Sequence, residues 1–198
     1  MSEKNYTFWK QIWDTKGNSE TNDLLFLDGY DHLNRDISSQ VIAHDIIKTL
    51  SIEEGSQILE VGCGCGFLSR EFVDLYSYVG VDYSQSIIGK HQHLFNHEVY
   101  CCPADQLFFE DKTFDYVFCY GLFQYLPSHE YANIVLDEFE RVSRKGILLG
   151  DLKTEQTRET HLIYPKSDLR ERGYNFTACS YDPTDPVRFN AVRQWSTK

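Results

Sequence analysis

The stretch QILEVGCGCGF, residues 57–67, constrains the fold more than any other part of the chain. Gln57 to Val61 is a short apolar run with β-branched Ile58 and Val61, the pattern of a buried strand. Glu60 stands near its end, and Gly62, Gly64 and Gly66 follow at alternate positions. The next segment, FLSREFVDLY, sets Phe67, Leu68, Glu71, Phe72 and Leu75 at helical spacing and predicts a helix. Glycines in a strand-to-helix turn permit positive φ and let a ligand approach the backbone closely. A second apolar run, YVGVD at 78–82, ends in Asp82, about where a carboxylate closes such a unit by receiving a ribose. A plain tight turn would not require that register.

Taken in order, the chain opens with YTFWKQIWDTK, residues 6–16, whose Trp9 and Trp13 share one helical face. Those rings serve either as packing against the body or as a lid that excludes water. Residues 17–36 are polar and turn-rich and read as a loop. A helix capped by Asp36 or Ser38 runs to about Leu50, with Ile37, Val41, Ile42, Ile46, Ile47 and Leu50 as its buried stripe. Past the glycine turn, helix 84–95, strand 97–102, strand 113–120, helix 128–144 and strand 146–152 alternate. A charged helix between 154 and 172, broken near Pro165, comes next. Two closing strands, YNFTACSY and VRFNAVRQW, are joined by the turn DPTDP and suit an antiparallel hairpin. Repeated strand–helix units imply a doubly wound α/β sheet, mostly parallel, with its ligand at the carboxyl ends of the strands.

The glycine spacing selects among ligands. A dinucleotide fingerprint places its third glycine one position later, where this chain has Phe67. Gly-x-Gly-x-Gly preceded by an acid resembles the class I S-adenosylmethionine (SAM) methyltransferases instead. The segment ADQLFFEDKTFDYVFCYGLFQYLP also resembles the middle of the small members of that family, and the likeness covers roughly residues 37–195. It implies a three-layer α/β/α fold with seven strands, the last antiparallel. It divides the chain into a candidate lid at 1–36 and a SAM-binding domain at 37–198.

What the resemblance implies for residues follows from the same register. Glu60 would meet the methionine ammonium, with Gly62, Cys63, Gly64 and Gly66 forming the turn beneath it. Asp82 would accept both ribose hydroxyls, Tyr83 and Ile87 would line the adenine, and Tyr120 would sit near the sulfonium. Ala104 and Asp105 fall where the family has alanine and an acid. Pro103 occupies the place of the aspartate that usually holds the adenine amino group, so Asp105 is the substitute. Gln124 and Tyr125 stand where the family often has two histidines, and Arg144, Lys145, Gly146 and Ile147 replace its basic-Pro-Gly-Gly turn.

Charge and cysteine content narrow the partners. A net charge of −11 argues against a nucleic-acid substrate and suits a neutral or cationic small molecule. No apolar run approaches a membrane span, and MSEKNYTFWK lacks the apolar core of a signal peptide, so the expected compartment is the cytoplasm. The six cysteines read as a reduced set without C-x-x-C spacing. His91, His93, His97, Cys101 and Cys102 form the one tract to weigh for metal. His91 and His93 would diverge on a helix and the cysteines would alternate across a strand, so no metal is expected.

Methyl transfer from a sulfonium needs positioning and desolvation, and a base only where the acceptor must lose a proton. Candidate bases are His32, Tyr125, Asp151 and His161, with Asp151 best placed at a strand end. Two other functions remain open at this level. One is a non-catalytic SAM-binding relative acting as a partner-binding module, and the other is an NAD-type oxidoreductase.

Overall fold

The computed structural model describes residues 3–31, 33, 37–156 and 158–195. Among these, seven strands form one sheet: β1 (Gln57–Val61), β2 (Ser77–Asp82), β3 (Val99–Cys101), β4 (Phe114–Tyr120), β5 (Ser143–Lys153), β6 (Asn175–Ala178) and β7 (Arg188–Gln194), in the order β3-β2-β1-β4-β5-β7-β6. Central β1 and β4 are buried on both faces, which is why they read as continuous apolar runs rather than alternating ones. β7 inserts between β5 and β6 and runs antiparallel to both, as expected for the last strand.

Helices cover both faces. α3 (Ser39–Leu50) buries Ile42, Ala43, Ile46 and Leu50 in one core cluster with Ile58, Phe72 and Phe118. Ser38, not Asp36, caps it through the amide of Val41; Asp36 lies outside the described residues. α5 (His129–Val142) buries Ala132, Val135, Leu136, Phe139 and Val142 in the opposite cluster, each large side chain contributing about 1.5–3 kcal/mol by burial. α4 (Gln85–Leu94) follows β2 and is capped by Ser84.

The structure corrects three expectations. The segment after the glycine turn forms only a single 3-10 turn, Ser69–Glu71, followed by further turns. Its bonds run mainly from residue i to i+3, as from the Phe72 amide to Ser69 O and from the Leu75 amide to Phe72 O. Such turns rise about 2.0 Å per residue rather than 1.5, so few residues return the chain from Gly66 to Ser77. The charged helix shrinks to α6 (Lys166–Glu171), begun by Pro165. The segment 17–36 contains the helix α2 (Leu24–Leu27), capped by Asp23.

α1 (Glu3–Gly17) lies against α4. Gly17 allows this, because a Cβ there would stand 2.5 Å from the Ser86 carbonyl carbon. Ser84 Oγ donates to Asp14 at 2.6 Å, and Lys16 Nζ donates to Phe26 O at 2.5 Å, fastening α1 to α4 and α2. No helix among the described residues is long and apolar enough to cross a membrane.

Candidate active site

The chain steps from β1 outward to β2 and β3, then returns to place β4 on the other side of β1. That reversal opens a crevice beyond the carboxyl ends of β1 and β4, the usual ligand position in such sheets. A cavity of about 1110 Å³, counting its open mouth, occupies it.

Glu60, Gly62, Cys63 and Gly64 form the wall nearest β1. The turn carries φ of 78°, 56° and 104° at Gly62, Gly64 and Gly66, conformations that a side chain resists. Gly66 does not line the cavity; it faces Phe95 and His91 behind the turn. Glu60 is buried and accepts the Tyr78 hydroxyl at 2.6 Å, and burial holds its carboxyl well above the usual range.

Asp82, Tyr83 and Ile87 form the next wall, at the end of β2 and the start of α4. Asp82 accepts the amides of Ser84 at 3.0 Å and Gly64 at 3.4 Å, so one carboxylate ties the second strand to the glycine turn. Desolvation pushes its pKa up to about 6, with those amides opposing. Ala104 closes this end. Asp105 does not line the cavity, and its carboxylate accepts the Tyr131 hydroxyl at 2.5 Å. Tyr131 itself faces the cavity, beside Tyr6.

The other end is walled by Tyr120, Tyr125 and Asp151. Burial pushes the Tyr125 phenol up to about 12, which favours its protonated form. Asp151 sits in a bulge of β5 at φ 57°, where the pairing with β7 shifts between Leu149 and Leu152. Its amide, out of the ladder, donates to Asn190 Oδ1 at 3.1 Å. Asn190 is fully buried and anchored in turn by Ala178 O and Ser180. Asp151 Oδ1 accepts Tyr181 and Arg188, while burial still holds its carboxyl above the ordinary range. His161 is buried against Trp9 and Tyr125 rather than lining the cavity, and His32 lies outside the described residues.

Sequence reasoning missed Asp28. It follows α2 directly, and its two oxygens accept the amides of Cys65 at 2.5 Å and Phe67 at 2.8 Å. Desolvation pushes its pKa up to about 7. The only local signal was Asp23 before a short apolar run, too brief to announce a helix. Tyr6, Trp13 and Tyr30 also line the cavity, so α1 and the following segment form part of its wall.

The histidine tract resolves into a hydrogen-bonded cluster. His91 Nδ1 meets Gly64 O at 2.8 Å, and its Nε2 meets His97 Nδ1 at 3.1 Å beside Ser69. Burial pushes His91 down to about 4, so the neutral ring supports the turn from behind. Among the described residues, no group of three or more His, Cys, Asp or Glu is arranged to hold a metal ion.

Four acids, Asp28, Glu60, Asp82 and Asp151, therefore face one cavity, and none of its described lining residues is a lysine or arginine. This arrangement favours a ligand bearing positive charge and hydroxyl donors.

Residues 58–146 match a protein family described as a methyltransferase domain. A malonyl-[acyl-carrier protein] O-methyltransferase of Bacillus anthracis is 26% identical over 148 residues, covering 69% of this chain and 54% of the relative. The chain spans about half the length of the curated relatives it matches. Among solved structures, magnesium protoporphyrin IX methyltransferase (ChlM) of Synechocystis PCC 6803 with bound SAM superposes with a TM-score of 0.68 at 14% identity, covering 97% of each chain. Phosphoethanolamine N-methyltransferase 1 of Haemonchus contortus gives 0.71 at 17% identity, covering 98% of this chain and 50% of that one. The glycine turn, the strand order and these likenesses converge on one architecture, and the chain has the fold of the class I SAM-dependent methyltransferases.

Proposed function

We propose that this protein transfers a methyl group from SAM to a small-molecule acceptor. The observation that carries this reading is the cavity wall at the switch of strand order, with four acidic side chains and no lysine or arginine among its described residues. SAM presents an ammonium, a sulfonium and two ribose hydroxyls, so the donor set fits. The glycine turn fits as well, since a Cβ on Gly62 would stand 3.2 Å from Leu122 and narrow the same space.

In this reading Asp82 receives the ribose hydroxyls and Glu60 the ammonium. Tyr83, Ile87 and Ala104 border the adenine, and Asp105 acts by fixing Tyr131. When bound, SAM supplies a methyl carbon already activated by its positive sulfur. The chain's own work is to orient and to exclude water, and orientation alone is worth roughly 7–11 kcal/mol. Tyr6 and Trp13 on α1 serve the exclusion, which supports the lid reading of the N-terminal segment. Asp151, already paired with Arg188, is suited to holding the acceptor more than to stripping a proton from it.

Calorimetric titration with SAM, S-adenosylhomocysteine and NAD tests the cofactor. Binding of the first two and not the third is expected, and the reverse would return the protein to the oxidoreductases. Turnover, read as S-adenosylhomocysteine released from a panel of acceptors, separates an enzyme from a relative that only binds.

A further inference from the structure

The Ala104 end of the cavity, which the proposed reading gives to the adenine, is walled by three tyrosine rings. Tyr6, Tyr83 and Tyr131 all line it, with the Tyr6 ring edge-on to Tyr83 at 5.4 Å and tilted to Tyr131 at 6.4 Å. Aromatic faces stack on every base alike, so they hold a base without choosing one. The choice falls to a polar atom whose hydrogen-bonding role is fixed.

Tyr131 supplies such an atom. It stands on the first turn of α5, where Ser128 Oγ accepts its amide at 3.2 Å, so a capped helix carries the ring. Its hydroxyl donates to Asp105 Oδ1 at 2.5 Å. Burial, and then the Asp105 carboxylate, holds the phenol well above its ordinary value, so that one hydrogen stays in place. Asp105 lies outside the cavity lining, whereas Tyr6 and Tyr83, whose phenols also act on that of Tyr131, lie within it. The Tyr131 hydrogen is therefore turned away from the cavity, and its oxygen has only lone pairs left for a group inside. A hydroxyl that donates to a carboxylate is also the stronger acceptor.

Adenine presents a 6-amino donor, and a 6-oxo purine presents an acceptor in the same place. We infer that the Tyr131 oxygen accepts the 6-amino group of the cofactor's adenine, with Asp105 as the positioning residue that keeps the Tyr131 hydrogen turned away. This rests on the reading of the chain as a SAM-dependent methyltransferase. A 6-oxo base is rejected because two acceptor oxygens would face each other away from water. Asp105 thus shapes base choice without touching the ligand.

The test is calorimetric titration of the full chain with S-adenosylhomocysteine and with S-inosylhomocysteine, whose base carries a 6-oxo oxygen in place of the amino group. Wild type should prefer S-adenosylhomocysteine by about tenfold or more. Tyr131→Phe keeps the ring and its packing but removes the acceptor. It should weaken S-adenosylhomocysteine roughly threefold to tenfold and shrink the preference between the two ligands. Asp105→Ala frees the Tyr131 hydrogen to turn into the cavity and donate to a 6-oxo oxygen. S-inosylhomocysteine should therefore bind this variant more tightly than it binds wild type, a gain that a merely structural role for Asp105 would not produce. Equal binding of the two ligands by wild type would overturn the inference. So would an unchanged preference in Tyr131→Phe, or S-inosylhomocysteine bound no more tightly by Asp105→Ala than by wild type. Failure of wild type to bind S-adenosylhomocysteine or SAM at all would instead remove the methyltransferase reading, and this inference with it.

Discussion

The carboxylate of Asp28 fills the space that any side chain on Gly64 would need. Its two oxygens take the amides of Cys65 and Phe67, on either side of the turn's last glycine. The segment before the domain body thereby becomes part of the glycine turn. Gly64→Ala combines this clash with φ 56° and should cost about 1–3 kcal/mol from backbone strain alone. Chemical denaturation measures it, and a stability equal to wild type would show that Asp28 moves aside freely.

Two of the cavity acids titrate near neutrality, which gives a signed pH dependence. Asp28 is raised to about 7 and Asp82 to about 6, each above its unfolded value of 3.8. The folded state therefore binds the extra protons, and the stability from these groups is complete below about pH 4 and lost as pH rises through 6 and 7. A ligand that donates ribose hydroxyls to these acids needs the ionised forms. Unliganded stability from these groups should fall from pH 5.5 to 8, while the stabilisation by S-adenosylhomocysteine should grow. Asp28→Asn should flatten the part near pH 7. A ligand shift independent of pH across that window would contradict the assignment.

Asn190 holds the bulge that aims Asp151. Asn190→Ala leaves the buried Asp151 amide without its partner, at a cost of about 1–3 kcal/mol. S-adenosylhomocysteine affinity should be unaffected because Asn190 does not line the cavity, whereas turnover should fall. Equal losses in cofactor affinity and turnover would mean that the bulge supports the whole cleft.

Asp105 and Tyr131 should behave as a unit. Asp105→Ala and Tyr131→Phe each break the same 2.5 Å hydrogen bond and should weaken SAM to a similar, modest extent, below that of Asp82→Ala. A double variant no worse than either single one is the expected result of the cycle. An Asp105→Ala effect far exceeding that of Tyr131→Phe would restore a direct adenine contact.

Trp9 is 3% exposed, stands 4.6 Å from the Tyr125 ring, and donates its indole N–H to Thr160 O. Trp9→Ala should loosen α1 without unfolding the sheet, raising hydrogen exchange in residues 6–17. Ligand binding should slow that exchange in wild type, and exchange that ignores the ligand would leave α1 as packing alone.

The strand–turn–strand unit from Gln57 to Asp82 was legible because apolar runs and glycine spacing are local signals. The segment 67–76 was not, since Phe67, Leu68 and Phe72 are buried at positions that suit a 3-10 turn as well as an α-helix. Asp28 bonds a turn 37 residues away, and Asn190 reaches an amide 39 residues away. Neither contact leaves a periodic trace in the chain.

Thermal unfolding with and without saturating S-adenosylhomocysteine, on wild type and Asp82→Ala, tests the central claim most directly. At about a hundred times its dissociation constant the ligand should add roughly 2.7 kcal/mol to the wild type. The predicted result is a clear upward shift that disappears in Asp82→Ala. No shift in the wild type with either S-adenosylhomocysteine or SAM would contradict the account.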